Sequence, residues 1–75
     1  MPYIQIKGYP KDEATKKAVA AKVTDVFAEM WGCAREAITV SIEEVAPDDW
    51  NEKIVIGEIE ANMDNVFIHG GKPIK

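Results

Sequence analysis

Pro2-Tyr3-Ile4-Gln5-Ile6-Lys7 alternates, with Pro2, Ile4 and Ile6 on one face and Tyr3, Gln5 and Lys7 on the other. That is the pattern of a strand with one buried side. Gly8-Tyr9-Pro10 breaks the run. Asp12 offers an oxygen as a helix N-cap, and Glu13 places negative charge where the helix dipole favours it. The spacing of Val19, Val23, Val26, Phe27 and Met30 predicts a helix to about Trp31, with Gly32 as its C-terminal cap. Lys16, Lys17, Lys22, Asp25 and Glu29 line its wet side. A second strand is expected from Ala37 to Ala46, with Ile38, Val40, Ile42 and Glu44 on one face and Thr39, Ser41, Glu43 and Val45 on the other. Pro47-Asp48-Asp49-Trp50 reads as a turn ending in a large aromatic. From about Asn51 the repeat of Ile59, Met63, Val66 and Phe67 predicts a second helix, with Gly57 able to interrupt it. Gly70-Gly71 is expected to end that helix, leaving a loose tail.

Two strands joined by a long helix should be parallel, with a right-handed crossover. The fold class is therefore α+β: a β-α-β unit with parallel strands plus a C-terminal helix, in one domain spanning residues 1–75. A two-stranded sheet covered on one face is not stable alone. The lone Cys33 forbids an intrachain disulfide, so pairing of two copies into a four-stranded sheet is the expected source of stability. A homo-oligomer follows, a dimer first and a hexamer second. The net charge of −4 and the scattered basic residues argue against nucleic acid. No apolar run has the length of a membrane span and nothing resembles a signal peptide, so no membrane partner and a cytoplasmic location are expected. One histidine, His69, one cysteine and scattered acids lack metal-ligand spacing, and no metal is expected.

Pro2 directly follows Met1. A small second residue favours removal of the initiator, and removal leaves a secondary amine at the head of a strand. The reference for such a group is an α-amine near pKa ~7.7–8.0, and desolvation lowers it towards neutrality, where a general base works best. With Met1 retained, the Pro2 nitrogen is an amide and cannot be a base. The alternative is that proline simply begins an edge strand, where its missing N–H costs nothing.

Several features coincide: Met1-Pro2 before the Ile4/Ile6 strand, a helix of about twenty residues, the strand Ile38-Thr39-Val40-Ser41-Ile42-Glu43-Glu44-Val45, then Pro47-Asp48-Asp49-Trp50. Together they resemble the 4-oxalocrotonate tautomerase family over nearly the whole chain. The stretch from Glu58-Ile59 through Asn62-Met63-Asp64 to Gly71-Lys72-Pro73 looks more like its dimeric phenylpyruvate-type branch, which has a C-terminal helix in place of a Gly-rich hairpin. The resemblance implies a cofactor-independent isomerase that interconverts enol and keto forms of a 2-keto acid. Its implied catalytic base is Pro2, and Trp50 matches the family's aromatic wall; the other reading of Trp50 is a core aromatic closing the turn.

The chain departs from the family at two arginines that meet substrate carboxylates. Lys11 is the nearest cation after strand one, Thr39 stands in strand two where the family has the second arginine, and the sole arginine is Arg35. Lysine does not reproduce a bidentate fork on a carboxylate. A dicarboxylate is thus disfavoured, and a monocarboxylate with an apolar or aryl end fits better. Lys11 and Arg35 each have a plainer reading, as a solvated lysine at a helix start and as a surface arginine paired with an acid. Two other functions use the same scaffold: hydration or dehalogenation of a small unsaturated acid, and a non-catalytic dimeric module.

Overall fold

A computed structural model describes residues 1–75. The chain forms two compact units, Met1–Val45 and Ala46–Lys75. In the first, β1 (Tyr3–Gly8) pairs in parallel with β2 (Thr39–Glu44), in register from Tyr3 opposite Thr39 to Gly8 opposite Glu44. The connection between them is α1 (Glu13–Trp31). Asp12 caps α1 as expected: its carboxylate accepts the Thr15 N–H at 3.0 Å and the Thr15 hydroxyl at 2.7 Å. At the other end Gly32 takes a left-handed conformation, φ 77°. There the N–H groups of Gly32 and Cys33 both reach the Ala28 carbonyl, at 3.1 and 3.2 Å. That satisfies a helix-end acceptor in a geometry that disfavours a side chain.

Strand two is shorter than the sequence suggests. Arg35–Ala37 forms a 3-10 turn, and pairing begins only at Thr39. The cavity lined by Ile6, Ile42 and Val19 puts α1 over the apolar face of the strands, as alternation requires. The helix stripe, however, is half covered. Val23 and Phe27 are half-buried, while Val26 is 59% and Met30 81% exposed. The buried position of α1 is Thr24, whose hydroxyl donates to the Ala20 carbonyl at 2.7 Å. Lys16, assigned to the wet side by the helical repeat, is instead half-buried at the ends of the strands.

In the second unit, Pro47–Trp50 is not an isolated turn but the first turn of a helix, α2, with Pro47 at its start. Proline suits that position because its missing N–H is an orphan donor there in any case. The helix runs on as a π-helical stretch, Asn51–Ile59, and then a 3-10 stretch, Glu60–Asn65, which is kinked at Asn62 (φ −129°, ψ 25°). Gly57 does not interrupt it. The spacing of apolar residues explains the wide turns. Trp50, Ile54 and Ile59 are separated by four and five residues, close to the roughly 4.4 residues per turn of an i→i+5 helix. An α-helical turn would rotate Ile59 by about 140° away from Ile54. Ile54 is buried and Trp50 and Ile59 are half-buried, so the π geometry keeps all three on one side.

The helix ends at Asn65 rather than at Gly70. The tail is not loose: β3 (Ile68–His69) and β4 (Lys72–Pro73) form an antiparallel hairpin. Gly70 and Gly71, at φ 58° and 80°, make its two-residue turn. Positive φ at both central positions is what a type I′ hairpin needs, and glycine supplies it without strain. No helix of the chain is long and apolar enough to cross a membrane.

A Cβ added at Gly57 would lie 3.2 Å from the Glu52 carbonyl oxygen, a contact created by the π turn. Alanine favours helix over glycine by roughly 1 kcal/mol, yet Gly57→Ala is expected to lower the melting temperature by about 5 °C, because that contact is with backbone. A melting temperature that rises in a circular-dichroism melt would show that the stretch relaxes freely to α geometry.

Candidate active site

The residues singled out by sequence fall at both ends of the two strands. At the N-terminal end, Pro2 is half-buried and its carbonyl accepts the Thr39 N–H at 3.2 Å. The ladder thus extends one residue beyond β1 and fixes the Pro2 backbone beside Thr39. Alternation puts Pro2 on the helix-covered face with Ile4 and Ile6. The opposite face is polar. There the Tyr3 hydroxyl pairs with Ser41 Oγ at 2.9 Å and accepts from Gln5 Nε2 at 3.3 Å. The bond to Ser41, followed by that from Gln5, holds the Tyr3 hydroxyl below the usual phenol range. Lys7 lies 3.9 Å from Glu43 on the same side.

At the C-terminal end, Glu44 closes the strand against the start of α1. Its Oε2 accepts the Lys11 backbone N–H at 3.1 Å and lies 3.0 Å from Lys16 Nζ. Lys16 also pairs with Glu13 at 2.9 Å. The Lys11 N–H and then the Lys16 ammonium hold the Glu44 carboxyl below its usual range. Glu13, then Glu44, holds the Lys16 ammonium above its own. Behind this cluster is a cavity of about 110 Å³. Ile6, Val19 and Ile42 give it an apolar floor, and Tyr9, Lys11 and Glu44 lie at its polar rim.

The fold therefore brings Pro2 and Thr39 together but sends Lys11 to the far end of β1. At a rise of about 3.3 Å per residue Pro2 and Gly8, at the two ends of this strand, lie roughly 20 Å apart. Arg35 sits in the 3-10 turn before β2, and its Nε is bonded to Asp25 Oδ1 at 3.0 Å. Trp50 belongs to the second unit, where it is half-buried at the end of α2. Sequence reasoning missed Lys16 as a partner of Glu44. The signal was an acid on the Ile38/Val40/Ile42 face of a strand, a position that calls for a cation from the covering helix.

A family model described as "Tautomerase enzyme" matches residues 2–52. Tautomerase PptA of Shigella sonnei (strain Ss046) is 35% identical over 66 residues, covering 85% of this chain and 87% of that protein. Tautomerase PptA of Escherichia coli O127:H6 is likewise 35% identical over 66 residues, and that of Cronobacter sakazakii is 28% identical over 68 residues, covering 88% of this chain. The chain belongs to the tautomerase family, and its activity is that of a tautomerase, an isomerase.

The ion cluster predicts a pH dependence of stability. Asp12, held down by the Thr15 hydroxyl and then the Thr15 N–H, and Glu44 both titrate below their ordinary values of 3.8 and 4.5. The folded state therefore binds fewer protons than the unfolded one in that range. Their contribution is complete above those ordinary values and is lost as pH falls through the lower, folded ones. Lys16 titrates above 10.5, so its contribution is complete below that value and is lost as pH rises through the folded one. Thermal melts across pH are expected to fall off on both sides, and Glu44→Gln to flatten the acid side. An acid limb unchanged in Glu44→Gln would remove Glu44 from this account.

Proposed function

We propose that this tautomerase interconverts enol and keto forms of a 2-keto monocarboxylate carrying an apolar or aryl end, with the free amine of Pro2 as the proton carrier. The observation that carries the reading is the setting of Pro2: half-buried at the head of β1 and pinned through its carbonyl to Thr39. With Met1 removed, an amine held there is partly desolvated, which favours its neutral, proton-accepting form. The neutral nitrogen takes the enol hydroxyl proton; the O–H bond breaks, the C=C pair shifts, and C=O forms. The same nitrogen then delivers its proton to carbon, so no electrons are gained or lost overall. Negative charge collects on the substrate oxygens, and a cation beside them lowers the barrier.

Lys11 is that cation in this reading. A 2-keto acid is far shorter than the roughly 20 Å between Pro2 and the Gly8 end of β1, so one copy does not bring its own Pro2 and Lys11 to one substrate. The site takes Pro2 from one copy and Lys11 from another. A second copy related by a twofold axis lies antiparallel along the sheet and sets the head of one β1 beside the tail of the other. The surface supports such pairing: Val45 and Ile54, each 6% exposed, are the only buried apolar residues of a single copy. The whole chain acts as one domain of a homodimer, and Trp50 supplies an apolar wall. Thr39 borders Pro2 as a neutral neighbour. Arg35, already paired with Asp25, contributes only through its remaining N–H groups.

The first test is ketonisation of phenylenolpyruvate, followed by ultraviolet absorbance, on protein whose free Pro2 terminus is established by intact mass. Methionine-retained protein is expected to be at least about 100-fold slower, the scale of a lost general base; equal rates would exclude Pro2 as the base. The second test mixes Pro2→Ala and Lys11→Met subunits after denaturation and refolding. A shared site regenerates one intact site per mixed dimer, so activity well above that of either variant is expected. Activity equal to the average of the two would exclude a site that takes Pro2 from one copy and Lys11 from the other.

A further inference from the structure

The cavity at the ends of the strands contains a charge that does not suit an anionic ligand. Glu44 lies at its rim, with a carboxylate exposed enough to meet whatever enters. Its place is set by the backbone, because it holds the Lys11 N–H at 3.1 Å and so ties the loop before α1 to the end of β2. A neutral amide would accept that N–H equally well. What the carboxylate adds is a negative charge next to the cation that, in the reading above, meets a carboxylate substrate. Lys16 answers this. It reaches from α1 to within 3.0 Å of Glu44 and 2.9 Å of Glu13, bridging the two acids, of which only Glu44 lines the cavity. Lys11 is left as the cation of the rim that these acids do not neutralise.

We propose that the Lys16–Glu44 pair is a specificity-determining device of the tautomerase site: Lys16 cancels the charge of Glu44, so the cavity shows an anionic substrate the single positive charge of Lys11. This inference rests on Lys11 being the carboxylate partner. It makes Lys16, which lines the cavity beside Glu44, a screening residue that acts through Glu44. The charged residues that line the cavity, Lys11, Lys16 and Glu44, sum to one positive charge, and above an apolar floor of Ile6, Val19 and Ile42 that selects a monoanion with an apolar body over a dianion.

Lys16→Gln leaves Glu44 bonded to Lys11 but uncompensated. For phenylenolpyruvate, KM is expected to rise about five- to tenfold, the order of effect of one unscreened charge on a neighbour in a partly hydrated site. The turnover number is expected to change little, because repulsion acts on bound substrate and transition state alike. The methyl ester of the same enol, which lacks the charge, is expected to keep its KM. Adding Glu44→Gln to Lys16→Gln is expected to bring the acid's KM back to within about twofold of the parent, an interaction that a double-mutant cycle reads directly. Lys16→Arg, which keeps the charge, is expected to behave as the parent.

A double variant no better than Lys16→Gln, an ester that suffers equally, or a silent Lys16→Gln would overturn the proposal. Lys11→Met separates this from the reading beneath it. An unchanged KM in Lys11→Met removes Lys11 as the carboxylate partner, whereas a raised KM there with a silent Lys16→Gln overturns the screening role alone. If Lys16→Gln does not fold, Glu44→Gln in the parent carries the test: the KM for the acid is expected to stay level or fall, and a rise would overturn the proposal.

Discussion

The parallel register of β1 and β2 is the constraint from which the rest of the first unit follows. Pairing Tyr3 with Thr39 and Gly8 with Glu44 fixes two ends. At one, the Pro2 carbonyl meets the Thr39 N–H; at the other, the Gly8 carbonyl meets the Val45 N–H at 2.8 Å. Parallel strands require a long crossover, and α1 supplies it, with nineteen residues that return the chain over the apolar face. Its N-terminus is therefore delivered to the Glu44 end. A one-residue slip in either strand would exchange the faces, taking Glu44 away from Lys16 and Pro2 off the helix-covered side. The chemistry proposed at both ends thus depends on one ladder.

The unit built on that ladder is underfilled. Val26, Met30 and Trp31, the last 71% exposed and stacked on Phe27 with ring centroids 5.1 Å apart, continue the apolar stripe of α1 into solvent. A monomer of this size has little apolar area to offset its conformational entropy. The polar face of the sheet behaves differently. Tyr3, Gln5 and Ser41 satisfy one another there, and Lys7 and Glu43 pair beside them. That face gains nothing from an apolar partner, so stickiness is confined to the helix side and to the open strand edges. This distribution favours assembly that completes the sheet over assembly that stacks sheet on sheet.

The sequence was most legible where a single local rule governed. Alternation located β1 and the core of β2, and Asp12 and Gly32 bracketed α1 because capping is a local hydrogen-bond requirement. It was least legible where two periods competed. Ile59, Met63, Val66 and Phe67 fit an α repeat, but Trp50, Ile54 and Ile59 fit a wider one, and burial of Ile54 goes with the wider. Gly70-Gly71 suits either a helix stop or a hairpin turn; pairing of His69 with Lys72, a contact that no local pattern announces, made it a turn. Of the proposed site residues, Pro2 and Lys11 are readable one by one from motif and position. The partnership of Lys16 with Glu44 is not, since a helical wheel assigns every lysine to water and cannot see a strand end 28 residues away.

What the charges leave over bears on the substrate. Lysine offers a compact ammonium with rotatable donors, where arginine offers a planar fork. A carboxylate held by lysine is held by charge more than by direction. The second cationic position carries a neutral Thr39, and the sole arginine has its Nε engaged by Asp25. On this reading one end of the substrate is anchored electrostatically, and orientation comes from the apolar floor of Ile6, Val19 and Ile42. Burial of an aryl or alkyl group contributes about 25 cal/mol per Å², so a large apolar end compensates for the missing fork, whereas a second carboxylate meets only a lysine, Lys16, already paired with Glu44, and no polar floor. Discrimination between mono- and dicarboxylates then arises from what the pocket lacks as much as from what it holds.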